Sequence, residues 1–123
     1  MTDLAFVCLG AALGAPLRYL VDRAIQARHD SLLPWGTLSV NLVGSLVLGV
    51  LVGLGVGHDV PEPVSLAVGT GLCGALTTYS TFSYETLRLY EDGARLFAFA
   101  NVTVSLTLGL GAGVLGYVLG SAL

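Results

Sequence analysis

The sequence predicts an all-α membrane protein of four transmembrane helices, the third broken near its middle. Three observations carry this reading. Only 11% of the 123 residues are charged and 54% are hydrophobic, whereas a soluble domain has about one quarter charged residues. The apolar residues gather in four stretches, each near the roughly 20 residues that a membrane-crossing helix needs. One of these stretches runs into residues 74–85, GALTTYSTFSYE, where seven of twelve side chains carry a hydroxyl.

The first span, residues 4–21, is interrupted only by Arg18 near its end. It has no basic start, Asp3 being the sole early charge, and no A-x-A site precedes Arg18. It therefore reads as a retained helix and not as a signal peptide. A polar connector follows over residues 23–34. The second span, residues 35–57, holds no charge, and the turn GHDVPEP at residues 57–63 reverses the chain. The third span covers residues 64–86. The charged stretch at residues 85–95 closes it and extends the helix a turn or two, with Gly93 as its stop. The fourth span, residues 96–121, is again free of charge. Together they make residues 1–123 one four-helix transmembrane domain, with no room for a soluble one. Cys8 and Cys73 lie singly inside apolar spans, where thiols are buried small residues and not a disulfide or a zinc site.

A shift of sixty residues superposes Asn41, Ser45, Leu46, Leu48, Gly49 and Gly53 on Asn101, Ser105, Leu106, Leu108, Gly109 and Gly113. The same shift places Gly14, Ala15 and Tyr19 on Gly74, Ala75 and Tyr79. Chance matches in a chain rich in Gly and Leu are one explanation. A two-helix parallel repeat about an axis along the membrane normal is the other. Glycines also recur every four residues, at Gly10/Gly14, Gly49/Gly53/Gly57, Gly109/Gly113 and Gly116/Gly120. Small residues at this period let helices approach closely in lipid. Four short helices enclose little, so these faces point to an oligomer.

One hydroxyl in a span is usually satisfied by the carbonyl one turn back. Seven together, with Gly71, Gly74 and the poor helix formers from Thr77 onward, predict a break near residues 74–78. A continuous helix with a Ser/Thr packing face is the alternative. Broken backbone is tolerated in a membrane only where it is buried in protein or lines a polar cavity, and its freed carbonyls can hold a cation. Asn41 adds an NH2 donor in the middle of the second span. Tyr79 and Phe82, three residues apart, share one side of a helix, and their weakly positive ring edges suit a small anion. No acidic residue lies deep in a span, which argues against a proton or cation route. These residues therefore favour a small anion handled by neutral donors.

LGAALGAPLRY (residues 9–19), WGTLSVNLVGS (residues 35–45) and GLCGALTTYSTFSYE (residues 71–85) resemble the signature segments of the Fluc (CrcB) family of fluoride channels. The resemblance extends over all four spans. It implies a fluoride-selective channel in the cell membrane, built as an antiparallel dimer with two pores and a sodium ion at the dimer centre. Carried over by motif, Asn41 is the pore donor of the second span, and Tyr79 and Phe82 are the two pore aromatics. Thr78 and Ser80 belong to the hydroxyl track beside them, with Ser105 and Asn101 as its part in the fourth span. Backbone carbonyls of Gly74 and Thr77 would hold Na+, and Arg18 matches the arginine of the first span. Tyr79 stands where the family usually has Phe, and Ala75 where a second glycine is common.

A small proton-coupled multidrug exporter is the nearest rival, but it needs a carboxylate within the membrane. Asp3, Asp22 and Glu85 sit only at span ends. A purely structural subunit leaves the hydroxyl track unexplained. Nothing predicts an enzyme: His29 and His58 stand alone in connectors, and no metal-ligand spacing occurs. With five arginines, no lysine and a net charge of −3, no nucleic-acid partner is expected. All five arginines (Arg18, Arg23, Arg28, Arg88, Arg95) fall on the side of the first and third connectors, among Asp22, Asp30, Glu91 and Asp92. The positive-inside rule thus places both termini outside. That bias favours an oppositely inserted sister chain as partner, with a dual-topology homodimer as the other possibility.

Overall fold

Apolar stretches that cannot leave backbone groups unpaired in lipid fold as helices. The computed structural model describes residues 2–29 and 32–123, and no strand occurs among the described residues. Helix α1 spans Thr2–Arg28 and α2 spans Trp35–Gly57. A third helical rod is assembled from α3 (Glu62–Val64), a π-helical stretch (Ser65–Cys73) and α4 (Gly74–Leu76). Helix α5 (Tyr79–Glu91) and helix α6 (Arg95–Ala122) complete the chain. Helices α1, α2 and α6 are each long and apolar enough to cross a membrane.

Helix α1 outlasts its apolar span because residues 22–28 contain no breaker. Arg23 Nη1 donates to the Tyr19 hydroxyl one turn back, at 2.8 Å, and extends the helix into polar sequence. Asp30, in the connector that follows, lies outside the described residues. Helix α5 stops as its sequence suggests. Gly93 adopts φ 87°, a conformation that costs other residues a clash, and the N–H groups of Gly93 and Ala94 return to the carbonyls of Tyr90 and Leu89.

The helices associate as two parallel pairs. Helix α1 lies along the π-helical rod, and α2 lies along α6, the most extensive contact in the fold. Glycines set both crossings. A Cβ added at Gly14 would sit 2.5 Å from the Leu72 carbonyl oxygen, and one at Gly71 would sit 3.0 Å from the Gly10 Cα. In the second pair, a Cβ at Gly53 would lie 2.9 Å from the Ser121 nitrogen, and one at Gly120 would lie 2.9 Å from the Leu54 nitrogen. Backbones therefore touch, as small residues permit where lipid offers no hydrophobic drive. Each pair joins the helices that the sixty-residue shift superposes, and partner numbers rise together along both crossings. Parallel pairing of this kind follows from an alternating chain of spans with or without a repeat. The shift-related glycines are not equivalent: a Cβ at Gly49 would meet the Gly113 carbonyl, whereas nothing lies within 4 Å of one at Gly109.

Leu9 and Leu13 are 63% and 65% exposed, so the outer face of α1 needs lipid or protein to cover it.

Candidate functional site

Helix α4 ends at Leu76 and α5 begins at Tyr79. Between them Thr77 (φ −81°, ψ 157°) and Thr78 (φ −146°, ψ 122°) are extended. Every freed polar group of Thr78 finds a partner. The Asn41 amide clamps its backbone, Oδ1 accepting the Thr78 N–H at 2.8 Å and Nδ2 donating to the Thr78 carbonyl at 3.2 Å. The Thr78 hydroxyl caps α5 by accepting the Thr81 N–H at 3.2 Å, and it meets Ser80 Oγ at 3.4 Å. Thr77 turns its hydroxyl back to the Cys73 carbonyl, at 2.9 Å. Its methyl group abuts Gly44, where any Cβ would collide with it.

The diverted N–H groups have a consequence on the other side of the break. An unbroken helix would deliver the Thr78 and Thr81 N–H groups to the carbonyls of Gly74 and Thr77. Those donors go instead to Asn41 and to the Thr78 hydroxyl, which releases both carbonyls. Nothing lies within 4 Å of the position a Cβ at Gly74 would take.

These residues line a groove of about 470 Å³. Asn41, Gly44 and Ser45 of α2 form one wall, and Ser105 and Gly109 of α6 form another. Cys73, Gly74, Thr77, Thr78, Tyr79 and Phe82 run through it along the broken rod. The Tyr79 and Phe82 rings stand 6.2 Å apart, tilted by 46°. One Asn41 amide hydrogen goes to Thr78, and among the described residues no protein acceptor takes the other.

Of the ten residues singled out in the sequence, the groove thus gathers Asn41, Gly74, Thr77, Thr78, Tyr79, Phe82 and Ser105. It leaves out three. Ser80 is exposed beside Thr78, and Arg18 is half-buried on α1. Asn101 is only 3% exposed and turns into the protomer, where Nδ2 donates to the Thr86 hydroxyl at 2.8 Å.

Four further residues support the site and escaped the sequence reading. Gly44 makes room for Thr77. Thr37 donates to the Glu85 carboxylate and so ties α2 to α5 beyond the groove. Thr86 links α5 to Asn101. For two of them spacing is the signal that was available: Thr37 lies one turn before Asn41 and Thr86 one turn after Phe82, each pair on one helix face. Asp22 belongs to the same end of the molecule. Its buried Oδ1 has no hydrogen-bond partner among the described residues and rests against Gly36, at the start of a helix with no side-chain cap. A carboxylate at a helix N-terminus is favourably placed.

Comparison with known proteins identifies a family. The family model described as "CrcB-like protein, Camphor Resistance (CrcB)" matches residues 5–117. The fluoride-specific ion channel FluC 1 of Frankia casuarinae is 58% identical over 121 residues, 94% of each chain. FluC 1 of Streptomyces avermitilis is 56% identical over 110 residues, covering 89% of each chain. The fluoride-specific ion channel FluC of Shewanella loihica is 46% identical over 108 residues, 88% of this chain and 87% of its own.

Proposed function

The chain belongs to the CrcB family, and from that membership we infer that it is a fluoride-specific ion channel, a multi-pass membrane protein and not an enzyme. It lets cytoplasmic fluoride leave across the cell membrane down its electrochemical gradient. The observation that carries the reading is the groove: neutral donors and aromatic edges converge on one broken helix, in a chain similar to proteins named for fluoride.

The chemistry follows from the anion. Fluoride is small and strongly hydrated, so it must exchange water for donors at closely spaced points. The spare Asn41 amide hydrogen, the Ser105 hydroxyl and the edges of Tyr79 and Phe82 supply such points without a formal positive charge. Binding then stays favourable yet escapable, as conduction requires.

The broken rod and α5 together form the third of four crossings. A second subunit packs antiparallel against the open side of the groove, either an identical chain or an oppositely inserted sister. The support is exposure: Tyr79 lines the groove yet is 80% exposed in the single chain, which leaves a pore aromatic with no outer wall. The released carbonyls of Gly74 and Thr77 fit a monovalent cation, and sodium between two subunits would place a fixed positive charge between the pores. The five arginines lie toward the end where α1 finishes and α5 meets α6, which keeps both termini outside in the preferred orientation.

The test is fluoride efflux from liposomes holding the purified protein, with chloride as the control. Efflux should be passive, persist without a proton gradient, and exclude chloride. Equal chloride flux, or a strict need for a proton gradient, would overturn the reading.

A further inference from the structure

Helix α5 carries two groove residues, yet only Leu89 among its side chains is buried. One buried leucine cannot fix the rotation of a thirteen-residue helix. Polar contacts add to the half-buried side chains on its inner face, and one set leads from α5 to α6. Ser105 Oγ donates to Asn101 Oδ1 at 3.4 Å. Asn101 Nδ2 donates to Thr86 Oγ1 at 2.8 Å, and Thr86 Oγ1 donates to the Phe82 carbonyl at 2.8 Å.

The chain of donors runs in one direction, and its two ends are groove residues on facing walls. Its middle does not touch the groove. Asn101 is buried, and Thr86 points its hydroxyl back along α5. The Thr86 hydroxyl, held to the Phe82 carbonyl one turn back on α5, is the point where Asn101 of α6 grips α5, and that grip between helices resists rotation of the Phe82 turn. At the other end, the long Ser105 bond keeps a hydroxyl proton turned from the groove but weakly held. An arriving anion can claim it.

We propose that Thr86 and Asn101 are positioning residues for fluoride conduction: they set the spacing of the Phe82 ring and the Ser105 hydroxyl across the pore without touching the ion. This rests on the fluoride-channel reading above. Asn101 is thereby removed from the ion's path and given a separate task.

The test compares four proteins in fluoride-loaded liposomes, together with their thermal unfolding: wild type, Thr86→Val, Thr86→Ser, and the double variant Thr86→Val/Asn101→Leu. Thr86→Val keeps the shape of the side chain and removes both hydroxyl bonds, and its efflux should fall at least fivefold. Thr86→Ser restores the hydroxyl and should recover to within twofold of wild type. The double variant removes both partners, so no buried amide is left unpaired and unfolding should return toward the wild-type temperature. Its efflux should nevertheless stay low. A merely structural role predicts that efflux recovers with stability, and that result would overturn the proposal, as would wild-type efflux from Thr86→Val. If Thr86→Val does not fold, the double variant carries the comparison. Absence of fluoride efflux from wild type would instead refute the channel reading itself.

Discussion

Residues 14–19, GAPLRY, and residues 74–79, GALTTY, align under the sixty-residue shift, and they fold differently. The first contains Pro16, the residue least suited to a helix interior, and α1 runs through it without interruption. The second has no proline, and its helix breaks at Thr77 and Thr78. Helix propensity alone would have put the break in the wrong half. What differs is the supply of partners. Around Thr78, Asn41 offers an acceptor and a donor, and the Thr78 hydroxyl caps the next helix. Leu17, which the shift pairs with Thr77, has no hydroxyl to turn back on its helix, and it is 44% exposed. Backbone opened there would face lipid unpaired, at several kcal/mol per group. A helix in so apolar a chain breaks where its freed groups can be satisfied.

The comparison can be broken most severely at the crossing that holds both halves in register. Gly116→Leu on α6 puts a side chain where even a Cβ would lie 2.9 Å from the Val50 nitrogen. No flexible atom is present to give way, so the expected outcome is loss of folded protein, read as aggregation on size-exclusion chromatography in detergent. Gly109→Leu serves as its control, because nothing lies within 4 Å of a Cβ there. That variant should elute as a folded species.

A smaller effect sharpens the explanation of the break itself. Thr78→Val removes the cap of α5 and should destabilise the protein by about 1 kcal/mol, the usual cost of losing a hydroxyl N-cap. Thermal unfolding in detergent checks it. Thr78→Ser should recover most of the loss, since only the hydroxyl is needed.

The smallest effect belongs to the unbroken half. Pro16→Ala should change fluoride efflux by less than about twofold, because the helix is already continuous through Pro16 and alanine keeps it so. A large change in efflux would mean that Pro16 shapes the pore after all.

Much of this was legible in the sequence, for a physical reason. Hydroxyls, an amide and paired aromatics are costly in an apolar chain, so their positions announce a polar site. The four-residue glycine periods announced the crossings only in part: Gly10, Gly14, Gly49, Gly53, Gly116 and Gly120 sit at them, whereas nothing lies within 4 Å of a Cβ at Gly57 or Gly109. Asn101 shows where this logic stops. Its type and its match to Asn41 are visible in the sequence, but whether its amide faces groove or core depends on the position of Thr86 across the interface. Thr86 falls just outside the hydroxyl-rich stretch. The reach of α1 to Arg28 was obscured for a different reason, since hydropathy marks where the membrane ends and not where the helix does.

The central claim is that ions move along the groove at the break, and Asn41→Asp tests it most directly. The carboxylate still accepts the Thr78 N–H, so half of the clamp survives. It opposes an acceptor to the Thr78 carbonyl, however, and it replaces the spare amide hydrogen with negative charge in the groove. The measurement is fluoride efflux from liposomes holding the variant, after chromatography has shown it to be as well folded as wild type. The account predicts a fall of at least about tenfold, since like charge in a low-dielectric groove costs more than 1.4 kcal/mol. Efflux within twofold of wild type would contradict it and place the ion's path elsewhere in the molecule.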